Sequence, residues 1–187
     1  MCIRDRCAAF GTTSAAPLLH VDGVTPEAAL PPARDAALAT ITRADLAQGW
    51  RALNSGPREV DLVALGSPHF SLEETRAFAA LMSGRNVGSG VDAIITLGRD
   101  TRSQADAEGV ADVLRAAGVT LHSDLCWCSI VEPVFPSTAR TVMTNSGKYA
   151  HYAPGLSGRA VRFGSLLECA LAAQSGLAPA GPPDWLS

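Results

Sequence analysis

The stretch Val60-Asp61-Leu62-Val63-Ala64-Leu65-Gly66-Ser67-Pro68-His69-Phe70-Ser71-Leu72-Glu73-Glu74 decides the fold. Its opening run, Val60 to Leu65, is almost continuously apolar and has the length of one strand, the pattern of a strand covered on both faces in a parallel sheet. Gly66-Ser67-Pro68-His69 ends that run. Ser71, with Glu74 three residues later, is a capping box, so a helix is expected from there through Met82.

The same alternation continues downstream. Asp92-Ala93-Ile94-Ile95-Thr96-Leu97 repeats the strand signature, and a helix is expected over residues 103–117 with Gly118 as its stop. Val119-Thr120-Leu121-His122-Ser123 reads as a strand that delivers the chain to Asp124-Leu125-Cys126. Thr138-Ala139-Arg140-Thr141-Val142-Met143 and Ala160-Val161-Arg162-Phe163 read as further strands, with a polar and aromatic loop over residues 144–155 between them. Ser165 and Glu168 cap a last helix that stops at Gly176. The expected class is α/β, with parallel-sheet layers and flanking helices.

Upstream the pattern is less regular. Residues 8–14 read as a loop whose hydroxyls, Thr13 and Ser14 among them, face a ligand. Pro17-Leu18-Leu19-His20-Val21 reads as a short strand and Pro26 as the first residue of a helix. Residues 43–53 read as a helix closed by Asn54-Ser55-Gly56-Pro57. The tail, residues 178–187, holds three prolines and is expected to be irregular.

Composition narrows the function classes. A formal net charge of -3 leaves no basic footprint, so nucleic acid is not an expected partner. No stretch approaches the roughly 20 apolar residues of a membrane span. Five cysteines without framework spacing argue against a secreted disulfide scaffold, and a soluble cytoplasmic protein is expected. The opening Met1-Cys2-Ile3-Arg4-Asp5-Arg6 resembles translated sequencing-adapter sequence. Residues 1–6 are therefore expected to be a non-native leader, residues 7–177 the C-terminal part of a larger domain, and residues 178–187 the tail. Of the 15 basic residues, Lys148 alone is a lysine.

Ligands in open α/β sheets gather beyond the carboxyl ends of the strands. Three such ends carry concentrated polar chemistry: Gly66-Ser67-Pro68-His69, Asp124-Leu125-Cys126-Trp127-Cys128 and Asn145-Ser146-Gly147-Lys148. Cys126 and Cys128, two apart, point to one face of an extended segment and could ligate one metal or cluster iron. Cys169 lies among apolar helix residues and reads as core. Lys148 can anchor a carboxylate or phosphate as a point charge. Gly147-Lys148 lacks the upstream glycine and following Ser/Thr of a P-loop, which excludes that motif. His69 is placed to orient a ligand or cap the next helix, whereas His20 and His122 read as strand residues. A serine-hydrolase elbow is absent.

These loops, in this order and spacing, resemble the catalytic domain of aconitase X. The matching segments are Val63 to Glu74, Asp124-Leu125-Cys126, and Thr144 to Gly155; His20-Val21-Asp22-Gly23-Val24-Thr25-Pro26-Glu27-Ala28 matches a further one. The resemblance spans roughly residues 8 to 175 and implies an aconitase-like catalytic domain, incomplete at its N-terminus. It further implies a dehydratase of small hydroxy acids with an iron-sulfur centre, working with a small swivelling domain or subunit. In the archaeal branch one cluster cysteine stands where this chain has Ser67, another matches Cys126, and a third lies upstream. Since a hydroxyl is a much poorer iron-sulfur ligand than a thiolate, a two-iron cluster or mononuclear iron is expected, held by Cys126 with Cys128 as a second candidate. The resemblance places Lys148 in contact with substrate. Asn145 and Ser146 are expected beside it as catalytic groups, and Ser67, His69, Thr13 and Ser14 as substrate contacts. The expected reaction converts cis-3-hydroxy-L-proline to pyrroline-2-carboxylate. Dehydration of mevalonate 5-phosphate, or a non-catalytic anion-binding α/β domain, are the alternatives.

Overall fold

A computed structural model describes residues 3–14, 16 and 18–186. Five parallel strands, β1 (Leu62–Phe70), β2 (Asp92–Leu97), β3 (Val119–Ser123), β4 (Thr141–Thr144) and β5 (Ala160–Phe163), form one sheet in the order β3-β2-β1-β4-β5. The helices are α1 (Ile3–Thr13), α2 (Arg43–Ala52), α3 (Leu72–Met82), α4 (Arg99–Ala107), α5 (Val110–Ala116), α6 (Gly147–Ser157) and α7 (Leu166–Ser175).

The unbroken apolar runs are explained by two cores, one on each face of the sheet. Successive strand residues point to opposite faces, so Val63, Leu65, Ala93, Ile95 and Met143 pack with Phe78 and Met82 of α3, Leu114 of α5 and Cys169 of α7. Leu62, Ala64, Ile94, Val142 and Val161 face the other way, onto Tyr149, Ala150 and Ala153 of α6 and onto Trp127 and Phe135. The chain leaves β1 toward β2 and later returns to β4 on the other side of β1. Right-handed crossovers running in opposite directions put their helices on opposite faces.

Capping boxes open α2 (Thr42, Asp45), α3 (Ser71, Glu74) and α7 (Ser165, Glu168), so the last two begin where the spacing predicts. Other boundaries differ. The helix expected over residues 103–117 starts at Arg99 and is broken at Gly109, whose φ of +73° separates α4 from α5. β4 begins at Thr141 rather than Thr138.

Further differences concern whole segments. Residues 8–14 are not a loop: up to Thr13 they belong to α1, and the hydroxyls of Thr12, Thr13 and Ser14 turn back onto the carbonyls of Ala8, Ala9 and Phe10. Ile3–Arg6, within the expected leader, is the start of that helix, and Arg4 pairs with Glu74 of α3. Residues 18–21 form no strand, since none of the five strands takes them as a neighbour, and Leu18 and His20 are exposed; Pro26–Ala29 is a single 3-10 turn. The expected loop over residues 144–155 is mostly helix α6, opened by Ser146 and packed on α1, where Ala9 approaches Gly147 closely. The tail is docked: Ala178 donates to the Arg58 carbonyl, and Leu186 is buried in a 3-10 turn.

Candidate functional site

The strand order places a topological switch point between β1 and β4, where chains leave in opposite directions and open a crevice at the carboxyl edge. The ends of β1 and β4 carry Ser67 and Ser146-Gly147-Lys148. β1 does not stop at Leu65. After pairing Leu65 with Ile95 it bulges and rejoins β2 at Phe70 opposite Leu97, so three more residues fill β1 than fill β2 across the same span. The bulge begins at Gly66, with φ +97°, and includes the cis Ser67-Pro68 peptide.

Every part of this bulge is tied down by a neighbouring element. Thr96 Oγ1, fully buried in β2, donates to the Gly66 carbonyl at 2.8 Å. Trp127 Nε1 donates to the Leu65 carbonyl at 2.8 Å. Ser146 Oγ donates to the Ser67 carbonyl. His69 Nε2 lies 2.7 Å from the Leu125 carbonyl. A carbonyl only accepts, so the imidazole carries its proton on Nε2. Loops β1, β3 and β4 are thereby joined, and the segment bearing Cys126 and Cys128 is held against them.

Ser146 has two further duties. Its oxygen accepts from the Tyr149 N–H at 3.0 Å as the N-cap of α6, while its own N–H reaches Thr144 Oγ1 at 3.2 Å. With its proton on Ser67, the hydroxyl can offer a ligand only a remaining lone pair. Ser146→Ala should lose both cap and stitch, costing about 1–2 kcal/mol; thermal melts of this variant and of Ser157→Ala, a hydroxyl bonded only within α6 and its exit, measure the difference.

Cys126 is an exposed free thiol and Cys128 a half-buried one. Burial pushes the Cys128 thiol up, the adjacent Cys126 thiol adds to this, and the Lys148 ammonium pulls it the other way. Lys148 therefore lies within electrostatic reach of Cys128. It is half-buried in the first turn of α6, and among the described residues no carboxylate lies within ion-pairing distance of it. Asp124, just before the pair, has its carboxyl pKa lowered by hydrogen bonds from the Arg99 side chain and backbone. It adopts φ +58°, unusual for a non-glycine residue and a mark of a locally constrained turn.

Ser67, His69, Cys126, Cys128, Ser146 and Lys148 are thus brought together. Asn145 precedes the cap and lines a neighbouring groove with Ser71, Glu74 and Phe163. Thr13 and Ser14 are exposed at the end of α1 and their hydroxyls serve that helix, which does not join them to the crevice. Trp127, Tyr149 and Thr96 were not picked out by their sequence. The rings of Trp127 and Tyr149 pack in a tilted arrangement, with centroids 5.2 Å apart and planes at 41°. A tryptophan between two cysteines was the available signal.

A doubly wound parallel sheet with polar loops converging on its switch point defines an α/β ligand-binding layer. The sequence pattern of the aconitase X third domain matches residues 60–175, and the chain belongs to that family. Cis-3-hydroxy-L-proline dehydratase of Pseudomonas aeruginosa is 48% identical over 96% of this chain and 32% of its own length. The enzyme of the same name from Hypocrea jecorina is 44% identical over 96% of this chain and 31% of its own. The phosphomevalonate dehydratase large subunit of Methanothermobacter thermautotrophicus is 34% identical over 81% of this chain and 37% of its own. Among solved structures, holo aconitase X of Thermococcus kodakaraensis superposes with a TM-score of 0.79 at 27% identity, covering 95% of this chain and 44% of that one. The chain spans about a third of the length of these curated relatives.

Proposed function

We propose that this chain is the part of an aconitase X dehydratase that anchors the substrate carboxylate, with cis-3-hydroxy-L-proline as the substrate. The carrying observation is Lys148, a lysine with no carboxylate partner among the described residues, in the first turn of the helix that follows β4 and within electrostatic reach of the free thiol of Cys128. The higher identity to the hydroxyproline enzymes than to the phosphomevalonate subunits supports that substrate branch. Ser67, where an archaeal cluster cysteine would stand, supports it independently.

Cys126 and Cys128 fit two sulfur positions of an iron centre, since both are free, on one turn, and one is open to solvent. Among the described residues no group of three or more His, Cys, Asp or Glu side chains is gathered for a metal. In this reading the other ligands come from the rest of the protein, and the centre is a two-iron cluster or mononuclear iron. When bound, it supplies Lewis acidity toward substrate oxygens.

Lys148 neutralises the substrate carboxylate, which makes the adjacent α-proton easier to remove. Loss of that proton and of the 3-hydroxyl, together one water, leaves an enamine that tautomerises to the cyclic imine acid, pyrroline-2-carboxylate. Ser67 supplies a directional hydrogen bond to the bound acid. Ser146 and His69 act as positioning residues, fixing the β1 bulge against α6 and the cysteine turn. The proton-abstracting base belongs to the remaining two thirds of the protein, with the small swivelling domain or subunit closing the site. Among the described residues no helix is long and apolar enough to cross a membrane, and the free thiols suit the reducing cytoplasm.

The test is anaerobic purification of the full-length protein, iron and sulfide analysis, and assay on both acids. Bound iron with turnover of cis-3-hydroxy-L-proline and none of mevalonate 5-phosphate is expected. Iron-free protein that binds small carboxylates without turnover would establish the anion-binding alternative instead.

A further inference from the structure

A cavity of about 360 Å³ lies at the end of α6 away from Lys148, within the range of roughly 300–1,000 Å³ usual for small-molecule sites. Its wall is apolar. Phe135 is 5% exposed and belongs to the core, and Ile130 packs against that core. Val131 and Leu156 also line the cavity but remain 72% and 53% exposed. Lys148 and Leu156 are eight residues apart on one helix, which separates them by about 12 Å along its axis. The cavity is therefore distinct from the crevice at the switch point.

A single cation lines this cavity, and its bonding is incomplete. The Arg159 side chain is only 22% exposed, and its guanidinium carbon lies 5.8 Å from the centroid of the Phe135 ring, a cation–π distance. Its Nε–H is buried and has no hydrogen-bond partner among the described residues. Glu132 stands 3.9 Å from Nη2, too far for a hydrogen bond, and is itself 59% exposed. A guanidinium drawn out of water without matching acceptors is destabilised, and an arriving acceptor relieves this. Ser157, also at the cavity, already donates its hydroxyl to the Ala153 carbonyl at 2.8 Å, so selection of a head group falls to Arg159. We infer that this cavity is a second binding site, for a small monocarboxylate with an apolar body. The carboxylate displaces the loose contact with Glu132 and takes the Arg159 fork, whose planar donors match it in pairs. The body of the ligand rests on Phe135, Ile130 and Leu156.

Isothermal titration calorimetry of the full-length protein with hexanoate, and with hexanamide as its neutral counterpart, tests this. Hexanoate should bind with a Kd of about 1 mM or below, and hexanamide about 10-fold or more weakly than that. Arg159→Gln should weaken hexanoate by about 10-fold or more and hexanamide by less than about 3-fold. Leu156→Trp, which fills the cavity and keeps the cation, should abolish binding of both, and this variant together with the acid-to-amide ratio decides the matter if Arg159→Gln fails to fold. Lys148→Ala should leave hexanoate binding unchanged. Equal affinity for acid and amide overturns the inference, as does the absence of saturable binding in the full-length protein. Loss of hexanoate binding in Lys148→Ala with retention in Arg159→Gln also overturns it, because the acid then occupies the crevice at the switch point. A protein that binds hexanoate through Arg159 but dehydrates neither acid keeps this site and loses the proposed function, whereas an active enzyme indifferent to hexanoate does the reverse.

Discussion

Gly66→Ala should destabilise this sheet more than any other substitution proposed for it. Gly66 sits at φ +97°, and a Cβ built there would lie 2.1 Å from the Thr96 carbonyl oxygen and 2.7 Å from Thr96 Oγ1. Neither atom can retreat: Thr96 is fully buried, its carbonyl belongs to β2, an interior strand paired on both sides, and its hydroxyl already donates to the Gly66 carbonyl. Forced backbone conformation costs about 1–3 kcal/mol, and displacing a buried strand adds to it, for a total of about 4 kcal/mol or more. Against a typical stability of about 5–15 kcal/mol, the variant should melt roughly 10 °C or more lower, or fail to accumulate in soluble form. Gly84→Ala is the control, because Gly84 has φ +69° but nothing within 4 Å of its added Cβ. It should cost about 1 kcal/mol. Equal melting temperatures for the two variants would show that the β1 bulge is not built as described.

Lys148→Ala in the full-length protein should lower kcat/KM on cis-3-hydroxy-L-proline by about 100- to 1000-fold, the scale on which one well-placed charge contributes in a closed site. Folding should change by no more than about 0.5 kcal/mol, because among the described residues no carboxylate pairs with the lysine. Lys148→Arg should recover little, since a planar guanidinium fork does not replace the compact point charge of an ammonium. Steady-state kinetics, a thermal melt and iron analysis of the same preparation separate the outcomes. Near-normal turnover with iron retained would remove Lys148 from the site, and lost turnover with a lowered melting temperature would make it structural.

The strands were legible because burial on both faces leaves no polar alternation, and runs such as Ala93-Ile94-Ile95 have no other use in a short segment. Two of the three capping boxes were equally plain. Helix α6 was hidden by Gly147, Pro154 and Gly155, which signal loops. The tertiary structure overrides them, since Tyr149, Ala150 and Ala153 lay one face into the core beside Trp127 and Ala9 packs over Gly147. Pro17 to Val21 misled in the opposite sense, because strand propensity is realised only where a neighbour pairs. At the site, the polar loops could be picked out one by one, but not the bonds joining them. Side-chain donors reaching backbone carbonyls, as from Trp127 to Leu65 or Ser146 to Ser67, leave no spacing pattern in a sequence. Strand order, which makes the crevice, is likewise absent from any single segment.

The seam between β1 and β4 holds only two register pairs, Leu62 with Val142 and Val63 with Met143, against five between β2 and β3. It also closes a loop of about 80 residues, whereas β1 to β2 and β2 to β3 close much shorter ones, and loop closure over longer separations is slower and costs more entropy. The unit from β1 to β3 can therefore nucleate early and locally, and β4, α6 and β5 join it afterward. Ser67 and Lys148 stand on opposite sides of that join. Competence of the site is in this sense the last event of folding and the first to be surrendered, so a ligand bridging the two sides would act as a clasp on the whole sheet.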